Sequence, residues 1–371
     1  MASVLLAGGG TAGHVNPLLA TAEELQLRGH RVEALGTPEG LEQDLVPRAG
    51  VTLHEVPKAP MPRRPSGDLV RFPGRFAAAV SAAGRAIRES GADAVVGFGG
   101  YVSTPAYLAA RRAGVPIIVH EANARPGMAN KLGSRMTDHV AVTFPGTPLR
   151  HAQLTGLPLR ASIRDLAELL ADPRAASDAR EAARDVVRWP VDAPVLVITG
   201  GSLGAASLNA ATVAAVPSLV AHGVYVWHLT GRGKSEEATR AYGDLSAAHR
   251  EMYRVEEYSH DMTTVLAAAG AVVCRAGAAT VSELTALSLP AMYVPLPHGN
   301  GEQADNARPA VEAGAAIMVA DADLTPVTLE QRAERMLLDE RTATGMREAA
   351  SGIGIRDGAQ RLADMIEGAL R

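Results

Sequence analysis

The sequence predicts an α/β protein of two similar domains, each built on a parallel sheet, and three observations support this fold class. With 371 residues, the chain is longer than one ordinary core and fits two domains of about 150–200 residues each. Short apolar runs rich in β-branched residues alternate with segments of helical spacing, a pattern typical of a parallel sheet covered on both faces. Two loops of the form GG[TS]xG, at 9–13 and 200–204, each follow the first strand of such a series.

The first series of strand-like runs predicts strands at 3–7, 32–35, 51–55, 94–97, 116–120 and 138–142. Apolar residues at helical spacing occupy 17–28 and 103–113, and Gly29 and Gly114 follow them as helix ends. Ligands of such a domain are expected beyond the carboxyl ends of the strands.

The second series predicts strands at 195–199, 224–229, 253–255, 271–274 and 291–294. Between the two series, residues 166–189 are rich in Ala, Asp and Arg, and we expect one helix there that opens the second domain. The connection is predicted near 156–160, so that residues 1–158 form the first domain and residues 159–354 the second. Two similar halves that face one another would form a cleft between them.

Composition excludes several classes of protein. A net charge of −4 gives no basis for a nucleic-acid partner. A single cysteine, Cys274, excludes an internal disulfide framework and is compatible with a reducing cytosol. The first residues lack the pattern of a signal peptide, and no run approaches the roughly 20 apolar residues of a membrane span. We expect a cytoplasmic protein, with peripheral membrane contact left open.

The first glycine-rich loop indicates a phosphate site. Gly8, Gly10 and Gly13 satisfy GxGxxG between a strand and a helix, where backbone N–H groups and the helix dipole favour an anion. A dinucleotide fold would require an acidic residue at the end of the second strand. That strand ends in Leu35-Gly36-Thr37, so a nicotinamide cofactor is not expected.

His14 follows this loop directly. The positive end of a helix disfavours a protonated imidazole, and a neutral imidazole can act as a general base. The alternative is a histidine that only caps or packs at the helix start.

Three further segments of the first half carry polar or glycine-rich signals. Residues 97–103 form a third glycine-rich turn between a strand and a helix. Glu121 and Asn123 follow the strand at 116–120, and Asn130 lies further on in the next helical stretch. Because these side chains emerge at the same sheet edge as the glycine loops, we expect them to contact a substrate.

In the second half, residues 275–283 follow a buried strand and begin a helix. Glu283 lies one turn inside that helix, where it would either cap the helix or bind sugar or ribose hydroxyls. The loop at 298–307 carries amide and acid side chains suited to a polyhydroxyl ligand. Asp321-Ala322-Asp323 matches a DxD metal motif, but its place before Thr325-Pro326 indicates helix-entry residues, and no metal is expected.

A basic and apolar segment lies between 61 and 76. Its pattern fits a surface that docks on anionic lipid, and the alternative is an ordinary loop and helix start. The residues of this predicted patch are Arg63, Arg64, Leu69, Val70, Arg71, Phe72, Arg75 and Phe76.

Taken together, these motifs resemble the MurG family of peptidoglycan N-acetylglucosaminyltransferases. The segments GGGTAGHVNP, GFGGYVSTPAYLAA, HEANARPGMANKLG, TGGSLGAASLN and CRAGAATVSE occur in the family's order, followed by the spacing of His298, Gln303 and Asn306. The resemblance covers about nine-tenths of the chain and is similar to the actinobacterial branch. It departs at Leu203, Ala122 and Glu302, where glutamine is usual, and in the linker around Pro158.

The resemblance implies the GT-B fold, in which two Rossmann-like domains face each other across a cleft and a C-terminal helix, here 355–371, returns to the first domain. The first domain would bind undecaprenyl-pyrophosphoryl-N-acetylmuramyl-pentapeptide and the second UDP-N-acetylglucosamine. The implied acceptor residues are Gly10, Thr11, Gly13, Tyr101, Asn123 and Asn130. The implied donor residues are Arg160, Ser202, Ser259, Thr280, Glu283, Glu302 and Gln303.

The implied reaction is a single displacement with inversion, in which the 4-hydroxyl of N-acetylmuramic acid attacks C1 of the donor sugar. His14 is the expected base and Glu121 the second choice, with no cofactor or bound metal. The implied location is the inner face of the cell membrane, in cell-wall synthesis that serves cell shape and division, with contacts to other cell-wall proteins left open. Alternatives are a natural-product glycosyltransferase, a UDP-GlcNAc 2-epimerase, and a silent sugar-nucleotide or lipid-carrier binding protein.

Overall fold

A computed structural model describes residues 1–60, 67–201, 204–298 and 300–371, with the side chains of 67–70 left out of the description. Arg63, Arg64 and Ser202 therefore lie outside the described residues, and Leu69 and Val70 are placed only as positions in a helix. The chain divides into two compact units. Unit 1 comprises Met1–Ala161 and Ile355–Arg371, and unit 2 comprises Ser162–Gly354.

Unit 1 contains a parallel sheet of seven strands in the order β3-β2-β1-β4-β5-β6-β7. Valine, leucine and isoleucine fill the central strands, which suits burial on both faces. The strands are β1 (Ser3–Ala7), β2 (Arg31–Gly36), β3 (Thr52–Glu55), β4 (Ala94–Gly97), β5 (Ile117–Glu121), β6 (Val140–Val142) and β7 (Ala152–Leu154).

Unit 2 repeats this architecture with six parallel strands in the order β10-β9-β8-β11-β12-β13. In both sheets the order reverses beside the first strand of the series, as in a doubly wound nucleotide fold. The strands are β8 (Val195–Thr199), β9 (Tyr225–Leu229), β10 (Tyr253–Glu256), β11 (Ala271–Cys274), β12 (Ala291–Tyr293) and β13 (Ala316–Met318).

Helices connect the strands and cover both faces of each sheet. In unit 1 they are α1 (Ala12–Leu27), α2 (Glu42–Arg48), α3 (Gly67–Ser90), α4 (Gly100–Ala113), α5 (Met128–Gly133) and, at the C-terminus, α16 (Gly358–Ala369). The remaining helices are α6 (Ala161–Ala171), α7 (Pro173–Asp185), α8 (Ala206–Ala221), α9 (Glu236–Asp244), α10 (Ala247–Arg250), α11 (Met262–Ala268), α12 (Ala278–Ala286), α13 (Glu302–Glu312), α14 (Pro326–Leu338) and α15 (Glu340–Ile353), with a 3-10 turn at Asp321–Asp323.

Two apolar clusters sandwich the sheet of unit 1. On one face α1 and α16 pack against β1 and β4, where Leu362 and Ile366 of α16 are fully buried. On the other face α3 and α4 pack against the same strands. Within the described residues, no helix has the length and apolar character needed to cross a lipid bilayer.

The structure differs from the sequence prediction at three elements. β7 and β13 are short edge strands that the prediction missed, and the three residues of β7 are all exposed, so they carry no apolar strand signal. The single helix expected at 166–189 is wrong. The structure has α6 and α7 there, because Asp172 caps a new helix whose first residue is Pro173.

Candidate active site

The sheet order of unit 1 reverses between β1 and β4, so the loops that follow these two strands lie side by side. β1 leads through residues 8–11 into α1, and β4 leads through residues 98–99 into α4. The two loops are in contact, because a Cβ on Gly100 would lie 2.9 Å from the Gly9 carbonyl oxygen. The first and third glycine-rich segments of the sequence therefore form one site.

His14 lies in the first turn of α1 between these loops. Its Nδ1 is 3.2 Å from the Gly9 carbonyl oxygen and 3.2 Å from the Thr11 hydroxyl. A carbonyl only accepts hydrogen bonds, so the contact with Gly9 favours the tautomer with the proton on Nδ1, which leaves the Nε2 lone pair free; the Thr11 hydroxyl can pair with either tautomer. Nε2 faces Gly99, where a Cβ would approach to 3.0 Å.

Backbone conformation and two close neighbours explain the glycines of the third glycine-rich turn. Gly99 has φ +100° and Gly100 has φ +77°, conformations that favour glycine. A Cβ on Gly99 would also crowd the imidazole, at 3.0 Å from Nε2, whereas a Cβ on Gly100 would meet the Gly9 carbonyl oxygen at 2.9 Å. This turn therefore leaves room for the histidine ring at the end of β1.

The N-terminus of α1 provides the predicted anion site. Thr11 is the N-cap in an extended conformation and Gly10 has φ +85°. Gly10, Thr11 and Gly13 are all exposed. The first N–H groups of this 16-residue helix have no partner within the helix, and its dipole favours a negative group here.

Glu42 is a residue of this site that sequence reasoning missed. Its carboxylate is fully buried and accepts hydrogen bonds from the N–H of Gly10 at 2.9 Å, the N–H of Thr37 at 3.1 Å and the hydroxyl of Thr37 at 2.7 Å. Burial alone would raise the pKa of Glu42, but these hydrogen bonds outweigh it and lower that pKa. The signal in the sequence was a glutamate that closely follows two glycines, Gly36 and Gly40.

Glu121 ends β5 and holds the following loop in place. One oxygen accepts from the Asn123 N–H at 2.9 Å, and the other accepts from the Gly127 N–H at 2.9 Å and from Asn130 Nδ2 at 3.0 Å. The residue is buried, with 3% of its surface exposed. This arrangement suits a carboxylate that orders residues 122–127.

Asn130 completes a buried network beneath that loop. Its amide donates to Glu121 and to the His120 carbonyl, and its oxygen accepts from the Tyr107 hydroxyl at 2.8 Å. Burial and the neighbouring charge of Glu121 raise the pKa of Tyr107, so the phenol stays protonated and donates. Tyr107 was not among the predicted residues; a Cβ on Gly97 or Gly133 would collide with it, and those glycines were its only signal.

The remaining acceptor residues predicted in unit 1 are nearer the surface. Tyr101, in the first turn of α4, is 49% exposed, and Asn123 is half-buried.

His120 is fully buried on β5, and burial lowers its pKa to about 4, so this imidazole is neutral. Arg160, which was predicted for the donor, is exposed near the end of unit 1.

Unit 2 has an equivalent site where its sheet order reverses between β8 and β11. Gly200 and Gly201 follow β8, and the Thr199 hydroxyl accepts from the Gly201 N–H at 3.1 Å. A Cβ on Gly204 would lie 3.1 Å from Lys234 Cδ, so the lysine side chain lies across the end of this loop. Lys234 was not predicted, although it lies with Arg232 in the glycine-containing loop that follows β9.

Arg275 anchors the loop that follows β11 in unit 2. Its guanidinium is 2.5 Å from the Asp321 carboxylate and donates to the Ser207 hydroxyl at 3.0 Å and to the Val294 carbonyl at 3.0 Å. Burial would raise the pKa of Asp321, but the hydrogen bonds from Ser207 and Arg275 lower it. Asp321 begins the 3-10 turn that precedes α14 and pairs with Arg275, while Thr325 caps α14.

Gln303 joins the two loops that follow β11 and β12. Its side-chain oxygen accepts from the Ala276 N–H at 3.2 Å and the Leu296 N–H at 3.0 Å. Glu302 begins α13 beside it and is half-buried, as are Thr280 and Glu283 on α12. The Ser259 hydroxyl accepts from the Asp261 N–H at 3.2 Å.

A histidine–carboxylate cluster lies at the other end of α8 from the glycine loop. His222 Nδ1 is 2.5 Å from Glu334 and 3.8 Å from Glu330. The hydrogen bond to Glu334 raises the pKa of His222. We interpret this cluster as an ion pair that joins α8 to α14.

An open groove lies between α3 and α4 on the outside of unit 1. It has a volume of about 630 Å³ and is bordered by Arg88 and Arg112. Phe72 and Phe76, which belong to the predicted patch, stack along it with ring centroids 5.5 Å apart. Arg71 is exposed beside them.

Comparison with known proteins supports one family. The glycosyltransferase family 28 N-terminal domain matches residues 4–142, and the corresponding C-terminal domain matches residues 195–362. Over 373 aligned residues the chain is 48% identical to the UDP-N-acetylglucosamine–N-acetylmuramyl-(pentapeptide) pyrophosphoryl-undecaprenol N-acetylglucosamine transferase of Clavibacter sepedonicus, a match that covers 100% of this chain and 97% of the relative. The protein of the same name from Paenarthrobacter aurescens is 47% identical, covering 98% of this chain and 95% of its own length.

A solved structure extends the likeness to the fold. The crystal structure of Acinetobacter baumannii MurG matches with a TM-score of 0.78 and 29% identity, covering 99% of this chain and 100% of that one. Together with the two parallel sheets, this match confirms the predicted GT-B class of two Rossmann-like α/β domains. The chain belongs to the MurG family of N-acetylglucosamine transferases, within glycosyltransferase family 28.

Proposed function

We propose that this protein transfers N-acetylglucosamine from UDP-N-acetylglucosamine to the 4-hydroxyl of undecaprenyl-pyrophosphoryl-N-acetylmuramyl-pentapeptide, with inversion at C1. The observation that carries the proposal is the match along the whole chain to relatives named for this transfer. The two glycine-loop sites support it, because the site of unit 1 carries a histidine and the site of unit 2 carries amide and acid side chains of the kind that can bind sugar hydroxyls.

His14 is the base in this proposal. With Nδ1 directed to the Gly9 carbonyl, Nε2 is free to take the proton of the acceptor hydroxyl as that oxygen bonds to C1 and UDP departs. The N-terminus of α1, with Gly10, Thr11 and Gly13, would hold the acceptor pyrophosphate. Tyr101 and Asn123 would contact the acceptor further out.

Glu121 receives a different role from the one expected of a second base. Both of its oxygens already accept hydrogen bonds, from Asn123, Gly127 and Asn130. We therefore assign Glu121 and Asn130 to ordering the loop at 122–127, which would line the acceptor site.

The donor side of the proposal uses unit 2. The N-terminus of α12 would face the diphosphate together with Thr280, and the backbone near Ser259 and the side chain of Ser202 would meet the nucleotide. Glu283 would bind the ribose, while Glu302 and Gln303 would bind the sugar hydroxyls, with Gln303 fixed by Ala276 and Leu296. Arg160 and the helix dipole would stabilise the leaving group without a metal or cofactor.

The decisive experiment uses labelled UDP-N-acetylglucosamine and a short-chain lipid-linked muramyl pentapeptide, followed by product analysis. Formation of the β(1→4) disaccharide is expected. His14→Ala should lower turnover at saturating donor by about 10²- to 10⁴-fold. Near-normal turnover of H14A would remove His14 as base, and conversion of UDP-N-acetylglucosamine without acceptor would indicate an epimerase instead.

We also propose that the α3 face docks on the inner surface of the cell membrane. Exposed Arg71 would meet anionic head groups, while Phe72 and the groove toward Arg88 and Arg112 offer apolar surface beside basic groups. Co-sedimentation with vesicles of phosphatidylcholine, with and without phosphatidylglycerol, tests this. The double variant R71E/F72S should no longer bind the vesicles that contain phosphatidylglycerol. The control variant R174E, which changes an exposed arginine on α7, should bind them like the parent.

A further inference from the structure

The peptide group between Gly9 and Gly10 lies between two ionisable side chains. Its N–H, which belongs to Gly10, donates to the Glu42 carboxylate at 2.9 Å. Its carbonyl, which belongs to Gly9, lies 3.2 Å from His14 Nδ1. A single peptide group therefore connects a carboxylate on α2 with the imidazole on α1.

The surroundings of Glu42 are shaped for this contact. A Cβ on Gly9 or on Gly40 would collide with the carboxylate, and a Cβ on Gly36 would lie 2.7 Å from Glu42 Cγ. Thr37 supplies two more hydrogen bonds, so the buried carboxylate has three donors. This is a site that holds an ionised carboxylate at a fixed position.

We propose that Glu42 is a positioning residue for the transfer reaction and acts on His14 through the Gly9–Gly10 peptide group; this inference rests on the proposed function. A peptide N–H that donates to an anion makes its own carbonyl a stronger acceptor, because successive hydrogen bonds polarise one another. The Gly9 carbonyl then keeps the proton on Nδ1 of His14 and orients the ring. It also stabilises the imidazolium that forms when Nε2 takes the acceptor's proton.

The other titratable groups near this chain of contacts do not replace Glu42. His120 on β5 is neutral, because burial lowers its pKa to about 4, and Glu121 is taken up by the loop that follows β5. Beside Glu42, the pair of Glu39 and Lys58 at 3.7 Å has exposed side chains. Glu42 is thus the buried carboxylate linked to His14.

The test compares E42Q, which keeps the shape of the side chain, with E39Q, which changes an exposed glutamate three residues earlier, before α2. In E42Q we expect kcat to fall by about 10- to 100-fold, the scale known for removing the hydrogen-bond partner behind a metal-binding histidine. The KM for UDP-N-acetylglucosamine should be unchanged, and the acid limb of the pH–rate profile should move to lower pH. E39Q should match the parent in all three.

A second readout does not depend on turnover. In protein labelled with ¹⁵N-histidine, the His14 signals, assigned by their loss in H14Q, should show the Nδ1–H tautomer in the parent and a smaller share of it in E42Q. An Nε2–H tautomer in the parent would overturn the inference without any Glu42 variant. So would an E42Q protein with an unshifted acid limb and an unchanged His14 spectrum, even if its melting temperature fell.

These readouts separate the inference from the proposed function. If H14A kept full turnover while E42Q still changed the His14 tautomer, the proposed base would be lost and the connection through the peptide group would stand. If H14A lost turnover and E42Q did not, His14 would stand as the base and the role of Glu42 through the peptide group would be lost.

Discussion

Asn130 donates a hydrogen bond from Nδ2 to the Glu121 carboxylate at 3.0 Å, and both side chains are buried. The same carboxylate accepts two backbone N–H groups of the loop at 122–127. A glutamate engaged in this way orders a loop, and its removal should have the consequences of a disordered loop.

Replacing Glu121 by glutamine should weaken acceptor binding and leave intact the transfer of the acceptor's proton to His14. The introduced amide must direct an NH₂ group at one of the present donors, and an unpaired buried donor costs about 1–3 kcal/mol, or roughly 5- to 150-fold in the KM of the acceptor. The pH–rate profile should keep its acid limb. N130D serves as a comparison at the same contact, and loss of the acid limb in E121Q alone would identify Glu121 as the base.

The pair of Arg275 and Asp321 leads to a second prediction. D321A removes the carboxylate that fixes the Arg275 guanidinium and should raise the KM for UDP-N-acetylglucosamine by roughly 10- to 100-fold, the scale of a lost hydrogen bond to a charged group. The KM for the acceptor should not change. D323A is the matched control, because Asp323 belongs to the same DxD motif but is exposed. Equal losses in both variants, together with inhibition by EDTA, would instead indicate a metal site.

The contrast between Asp321 and the glycine loops shows how far the sequence leads. Strand-like runs and GG[TS]xG loops are local patterns, so the two parallel sheets and the position of His14 after β1 could be predicted from them. The partner of Asp321 lies 46 residues earlier in the chain. No spacing rule connects the two, and only the fold brings β11 and the 3-10 turn together.

Glu42 shows the same limit within one site. It lies 32 residues after Gly10, on a short helix whose own pattern is unremarkable. The glycines at 36 and 40 carried the signal, but glycines in a loop are also explained by turns. What distinguishes them is the space that the carboxylate occupies, and that is visible only in three dimensions.

Acid should destabilise unit 2 through His228. This imidazole is fully buried between the Tyr253 hydroxyl at 2.9 Å and the Asn209 amide oxygen at 3.1 Å, and burial lowers its pKa to about 4. The unfolded chain binds a proton near pH 6.5 and the folded protein only near pH 4, so the contribution of this histidine is present above pH 6.5 and is lost as the pH falls toward 4.

The loss attributable to His228 should reach about 3 kcal/mol at the acid end of this range. Urea unfolding of unit 2, followed by the fluorescence of Trp189 and Trp227, measures it as a function of pH. H228Q should be less stable than the parent near pH 8 but should lose less stability between pH 6.5 and 4. Parallel pH profiles for H228Q and the parent would contradict this assignment.

The attachment of α16 to unit 1 separates apolar burial from surface charge. Arg28, the C-cap of α1, contacts Asp364 at 2.6 Å and Glu367 at 3.3 Å, while Leu362 and Ile366 are fully buried between α16 and the sheet. Exposed ion pairs contribute about 0–1 kcal/mol, whereas truncation of a buried leucine costs about 2–5 kcal/mol. We expect L362A to lower the free energy of unfolding of unit 1 by that larger amount and to speed amide hydrogen exchange in α16. D364A, whose side chain is 68% exposed, should change both only slightly, and a larger effect of D364A than of L362A would show that charge holds this helix.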